Sequence, residues 1–297
     1  MGTFLRDTAA PLFEEGLRTV VSNQFKSMGW FFDKWMKQNS SSKKFERDYQ
    51  FYGIDVIPQS TESDVYNSGD VTPGSYFDYT HITYKYQLRA SKEAVEDELY
   101  GQIKKFPAFL AKAARHSIEI FLQDNLNSGF GNVGYDGVAS FAINHPGLTG
   151  VRSNKLNPDV ALGITSLKAL LVMANSMNTY EGHPMEFEGG YLAYPPNLDP
   201  TVFELLKTEK GLYSAEGTKN YLFGSLEPML NRYLTSTSAY FILPKISENG
   251  FLMFWRVKVN SWSDVDPDNE DVRMRIRFRL SGGCNQFEGA LASDGTP

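Results

Sequence analysis

Residues 91–128 read SKEAVEDELYGQIKKFPAFLAKAARHSIEIFLQDNLNS, and their periodicity predicts one long helix interrupted by a proline. Val95, Leu99, Ile103, Phe106, Leu110, Ala114, Ile118, Phe121 and Leu126 step by three to five residues, mostly by four, which keeps one apolar stripe on one face. Ser91 is placed to cap the start, and Glu93, Glu96, Asp97 and Glu98 fill the first turns, where the helix dipole favours carboxylates. Asn127, Ser128 and Gly129 are stop signals. A continuous helix would run roughly 55 Å at about 1.5 Å per residue. Pro107 removes a backbone donor and clashes with the preceding turn, so a bend or short break is expected between Tyr100 and Phe106; two ordinary core helices meeting at Pro107 are the alternative. A rod of this length exceeds what one core needs and points to a molecule built to reach its neighbours rather than to enclose a substrate.

Upstream, residues 1–44 combine an amphipathic segment (Leu12, Phe13, Leu17, Val20, Val21, Phe25) with the aromatic cluster Trp30, Phe31, Phe32 and Trp35, followed by the polar run Gln38 to Lys44. An arm this apolar must be covered, by its own domain or by another subunit. Two strand-like runs follow, FERDYQFYGIDVI from Phe45 and YFDYTHITYKYQLRA ending at Ala90, separated by PQSTESDVYNSGDVTPGS. The second alternates Ile82, Tyr84, Tyr86 and Leu88 with Thr83, Lys85, Gln87 and Arg89, the period of a half-buried strand. Together they predict a long hairpin with a polar tip, marginal alone in water and in need of support from elsewhere.

Downstream, Gly131 to Pro158 is rich in Gly and Asn and reads as loop. A compact α/β segment follows: a helix from Thr165 to Met177, a strand from Gly190 to Tyr194 stopped by Pro195-Pro196, and a helix capped by Asp199 through Leu206 with Pro200 at its first position. Strands are expected over Tyr240–Leu243 and Phe251–Val259. In the last strong element Met274, Ile276, Phe278 and Leu280 alternate with Arg273, Arg275, Arg277 and Arg279, directly after an acidic turn holding Asp264, Asp266, Asp268, Glu270 and Asp271. Like charges at alternate positions repel, so the arginines require carboxylates or solvent opposite them. They form either an ion-pair seam to adjoining strands or subunits, or a solvated face. The acidic turn is either a soluble loop or, if three copies meet on an axis, a cluster requiring Lys, Arg or a bound cation.

The composition is that of an ordinary globular protein: 41% of the 297 residues are hydrophobic, enough for one large core or two modest ones. A net charge of −6 gives no electrostatic reason to hold nucleic acid tightly. Cys284 is the only cysteine, which excludes an internal disulfide and any cysteine-based zinc site, fits a reducing compartment, and reads as a small buried residue. The amino-terminal stretch lacks a signal-peptide core and no run approaches a membrane span, so a soluble protein made in the cytoplasm is expected. His81, His116, His145 and His183 are scattered; His116 and Glu119 share a helix face, a spacing that is usually structural. There is no GxSxG elbow and no phosphate-binding P-loop, and GFGNVG at Gly129 to Gly134 follows a helix instead of a strand. The sequence therefore predicts neither an enzyme nor a cofactor.

The order of parts, together with LFEEGLR, GGYLAYPPNLDPTVFELL, LEPMLNRYLTSTSAYFIL and RMRIRFRLSGGCNQFEGALAS, resembles the major capsid proteins of tailed bacteriophages, the Hong Kong 97-type fold. The resemblance implies an α+β chain with an N-terminal arm (1–44), an extended hairpin loop lying over a neighbouring subunit (45–90), a peripheral domain with a long spine helix (91–163 and 251–283) and an axial α/β domain (164–250 and 284–297). It also implies self-assembly through hexameric and pentameric capsomers into an icosahedral shell around double-stranded DNA contacted weakly and non-specifically. Scaffold, portal and decoration proteins are further partners it allows, and the virion is the implied location, after assembly in the host cytoplasm. Candidate subunit-interface residues are Arg273, Arg275, Arg277, Arg279, Asp264, Asp266, Asp268, Glu270, Asp271, Trp30 and Trp35. An encapsulin-like protein compartment is the nearest alternative on the same fold; a soluble hydrolase is the alternative from another class.

Overall fold

The computed structural model describes residues 19, 23, 29–53, 56–62, 65–69, 71–97, 105–148, 150–187, 189–209, 219–245 and 250–296. In chain order the elements are β1 (Lys37–Ser40), β2 (Phe45–Tyr52), β3 (Thr72–Thr80), β4 (Ile82–Ala90), α1 (Lys92–Glu96), α2 (Phe106–Asn127), α3 (Ile164–Asn175), β5 (Gly190–Tyr194), α4 (Asp199–Lys207), β6 (Glu227–Leu230), β7 (Tyr240–Pro244), β8 (Phe251–Val265), β9 (Val272–Cys284) and β10 (Leu291–Ser293). Short 3-10 turns cover Phe32–Lys34 and Pro196–Leu198. Three sheets result: β1-β8-β9-β4, β10-β7-β5-β6, and the isolated pair β2-β3.

The stretch expected to be one rod is two helices. Ser91 caps α1 through its Oγ, which accepts from the Ala94 N–H at 3.2 Å, and the helix stops at Glu96 with Asp97 off helical geometry. The second helix opens at Phe106, so Pro107 sits in its first turn, where a missing N–H costs nothing, and not in a helix interior where it would kink the rod. Glu98, Leu99, Ile103 and the expected break from Tyr100 onward lie outside the described residues, apart from its end at Phe106. Within α2 the buried stripe is Leu110, Ala114, Ile118, Leu122 and Leu126, a strict four-residue step. It packs on the inner face of the first sheet, where Met274, Ile276, Phe278 and Leu280 of β9 are all buried.

The second sheet, β10-β7-β5-β6, is buried on both faces along its central strands β7 and β5. Along β7, Phe241 and Leu243 point into the core shared with α2 and the first sheet, while Tyr240 and Ile242 point into a second core made with α3 and α4. The same division runs through β5, with Ala193 on one side and Leu192 and Tyr194 on the other. One sheet thus joins the two hydrophobic clusters, and β10 adds the end of the chain to it by pairing with β7. Asp199 is the first residue of α4 rather than its cap; its carboxylate accepts from Tyr194 Oη at 2.9 Å.

The run expected as the second strand of the hairpin is divided at His81. Tyr76 to Thr80 belong to β3 and pair with β2, whereas Ile82 to Ala90 form the edge strand β4 of the first sheet, antiparallel to β9 over its whole length. Hence β2-β3 alone is the hairpin. The polar run after Trp35 contains β1, which joins β8 in parallel at the other edge of that sheet. Strand β8 extends to Val265, so Asp264 lies within a strand and the turn proper is Asp266 to Asp271.

Candidate assembly surfaces

Three surfaces gather the residues singled out in the sequence: the N-terminal segment, the hairpin, and the arginine-bearing face of the first sheet. The N-terminal segment from Gly29 is built into its own domain. Buried Glu119 on α2 accepts the Phe31 N–H at 2.8 Å, and Arg115 donates to the Gly29 carbonyl at 2.6 Å while its guanidinium lies over the Trp30 ring at 5.3 Å. Burial raises the Glu119 carboxyl above the ordinary range, opposed by the Phe31 N–H, Gln123 and Arg115. His116, on the same helix, turns instead to Tyr233 Oη at 2.8 Å, so the two side chains do not converge. Trp35 is wholly buried within its own chain, edge-on to Phe251 at 5.0 Å. Trp30 is half-buried against Phe32. Leu12, Phe13, Leu17, Val20, Val21 and Phe25 lie outside the described residues.

The hairpin is tied to the body at Tyr79, Asp48, Gln50 and Tyr52. Tyr79 is buried between Phe77 and Phe254, Asn285 donates to Asp48 and accepts from Gln50, each at 2.5 Å, and Tyr52 stacks on Tyr180 with centroids 3.6 Å apart. At Gly283 a Cβ would overlap the Phe77 ring, so glycine is required for this approach. Elsewhere on the hairpin and its tip, Tyr49, Phe51, Tyr76, Val56, Ile57, Val65 and Tyr66 are exposed, Tyr66 almost completely at 99%. The edge strand β4 and α2 enclose an open groove of about 510 Å³, lined by Tyr84, Tyr86, Leu88, Phe109 and Ala113 among others.

On the first sheet, register puts Arg89, Gln87, Lys85 and Thr83 of β4 beside Arg273, Arg275, Arg277 and Arg279 of β9. At the end near the turn the charges are matched inside the chain. Arg273 meets Asp264 at 2.6 Å and Asp266 at 3.0 Å, Arg275 meets Asp264 at 3.3 Å, and Arg89 meets Asp266 and Asp271 at 3.1 and 3.5 Å. Lys92 pairs with Glu270, whose φ of 59° closes the turn. The acidic turn is therefore chiefly a counter-charge for its own sheet; Asp268 alone of the five carboxylates is exposed. Arg277 is exposed and Arg279 half-buried further along the strand.

Sequence reasoning missed two polar clusters. In one, His145 is buried with Nδ1 at 2.6 Å from Asp136 and Nε2 at 3.1 Å from Asn154 Oδ1, and it stacks on Phe287, whose neighbour Glu288 pairs with Arg152 at 2.6 Å. This knot ties the Gly-rich loop to the chain's last segment. In the other, His81 bridges Ser41 and Ser281 at the junction of β3 and β4. Neither has a signal in local periodicity: His145 meets Asp136 and Asn154 nine residues to either side in a stretch without a regular period, and the partners of His81 are remote in sequence. Cys284 is buried and its thiol pushed up to about 12, which makes it inert as a nucleophile at neutral pH. Among the described residues no group of three His, Cys, Asp or Glu side chains converges, and no helix is long and apolar enough to cross a membrane.

A phage capsid protein family model matches residues 76–293. No curated protein matches the sequence. Among solved structures, the fold is similar to the capsid of cyanophage P-SCSP1u, at 11% identity over 89% of this chain and 87% of that one with a TM-score of 0.61. It is also similar to the capsid of Ralstonia phage GP4 (10% identity, 90% and 91% covered, TM-score 0.57) and to a virus-like particle from Pyrococcus furiosus (10% identity, 95% and 99% covered, TM-score 0.57). At these identities the structural likeness speaks for fold alone. Taken with the family match, which spans β4 to β10 and α2, the chain belongs to the phage capsid protein family and has the Hong Kong 97-type fold of a major capsid protein.

Proposed function

We propose that copies of this chain meet as hexameric and pentameric capsomers and close into an icosahedral head shell around double-stranded DNA, which they contact weakly and non-specifically. The observation that carries this reading is the β2-β3 hairpin and its tip, where the large apolar side chains of Phe51, Ile57, Val65 and Tyr66 are exposed. Burying one such large side chain contributes about 1.5–3 kcal/mol, and a closed shell repeats the gain at every contact. In this reading residues 1–44 are the arm and the extended loop is 45–80, shorter than 45–90 because Ile82 to Ala90 are part of the first sheet. The peripheral domain is then 82–163 with 251–283, and the axial domain 164–250 with 284–297. The role is structural and non-enzymatic. The chain would be made in the host cytoplasm and end in the virion, with scaffold, portal and decoration proteins as further partners.

The second reading on the same fold, which a virus-like particle from Pyrococcus furiosus shares, is an encapsulin-like compartment that packages protein instead of a genome. Electron microscopy of particles from the native source, after nuclease treatment, separates the two. Nuclease-protected double-stranded DNA supports the head shell; particles filled with protein and free of nucleic acid support the compartment.

A further inference from the structure

The arginine-bearing face has two halves of different electrostatic character. Beside the turn, three cations meet three carboxylates within the chain, as described above. Further along, Lys85 lies opposite Arg277 and Thr83 opposite Arg279, with Asn260 and Val257 of β8 completing those two rows. Among the described residues no carboxylate pairs with Lys85, Arg277 or Arg279. Like charges directly opposite each other on a sheet are destabilising. This half of the face has cations and lacks anions.

The missing anions are on the same chain but at the wrong end. Lys92 bonded to Glu270 fastens α1 to the β8–β9 turn, and there Glu93, Asp97 and Asp268 are exposed with no cation paired to them among the described residues. Four residues of strand, about 13 Å at roughly 3.3 Å each, separate the Arg273 row from the Arg277 row, so one rigid sheet cannot fold its acidic end onto its own basic half. A second copy can. The geometry points to a head-to-tail ionic contact in which Lys85, Arg277 and Arg279 of one copy receive Glu93, Asp97 and Asp268 of the next. Such a heterologous contact propagates around a ring or a shell. It neutralises two unmatched patches at once, whereas a nucleic-acid phosphate on the basic half would leave the acidic end unpaired.

This contact rests on the shell reading and is tested by charge exchange. Lys85→Glu with Arg277→Glu, and separately Glu93→Lys with Asp97→Lys, are each expected to lower particle yield about tenfold or more at low salt, read by sedimentation velocity. The four changes together are expected to restore particles, with circular dichroism and thermal melting confirming that every variant is folded. Either pair assembling like wild type overturns the contact, as does a folded fourfold variant that fails to assemble. Lys85/Arg277 variants that assemble normally but lose nuclease-protected DNA would also overturn it and give the face to phosphate. A wild-type chain that forms no particles is a separate outcome, which overturns the shell reading and the contact with it.

Discussion

At the residue scale, position in the fold decides what each polar side chain does. His81 holds two serines from remote segments, Ser41 and Ser281, and its burial, followed by the charge of Arg279, keeps it below the ordinary histidine range against an opposing pull from Glu46, with Arg256 adding the least. A histidine depressed in the folded state contributes stability that is present above its unfolded pKa of about 6.5 and is lost as pH falls through the folded value. His81→Gln, which retains a donor and an acceptor for the serines, is therefore expected to flatten the loss of stability on acidification below about pH 6.5. Urea unfolding at a series of pH values checks this, and parallel curves for wild type and variant would contradict it. Some of this scale was legible in the sequence: Ser91 as a cap, Cys284 as a buried thiol, and the inward row Met274 to Leu280. Trp35 was not, because an aromatic cluster in an arm reads the same whether its rings turn inward or outward. Only tertiary packing against Phe251 decides between them.

At the element scale, the hairpin carries the sharpest expectation. Replacing residues 57–70 by an Asn-Gly turn removes Ile57, Val65 and Tyr66 while leaving the β2-β3 ladder, which ends at the Tyr52–Thr72 pair. The variant should melt within a few degrees of wild type yet form few or no particles; normal particles would show that the tip does not reach across subunits. Helix and strand types were legible from periodicity wherever one face is buried, as in α2 and β9. Boundaries were less so. The alternation of Ile82 to Leu88 continues the texture of Tyr76 to Thr80, and nothing local marks His81 as the point where the chain passes from the hairpin to the first sheet. Pro107 was read as an interruption because the apolar steps continue on both sides of it; the structure uses it as a helix start. Strand β1 escaped notice for another reason: Lys37 to Ser40 are polar, and their place is set by backbone pairing to β8 rather than by side-chain burial.

For the whole molecule, two cores joined through one doubly buried sheet make a body that needs no partner to hold its centre, while the hairpin and the unmatched charges of the first sheet leave its margins incomplete. The order of elements was the most legible feature of all, since hairpin, helix, α/β segment and long returning strands follow one another in the sequence as they do in the fold. The ion pairs of the turn were hidden because adjacency of DVDPDNED to the arginine strand does not say which carboxylate crosses to which neighbour; the register of β8 on β9 does. The central claim is that identical copies complete what one chain leaves open. Sedimentation velocity of the purified wild-type chain over a wide concentration range, with negative-stain microscopy of the same samples, tests it most directly. Closed particles of uniform diameter are predicted, and a chain that remains a single monomeric species at every concentration would contradict the account.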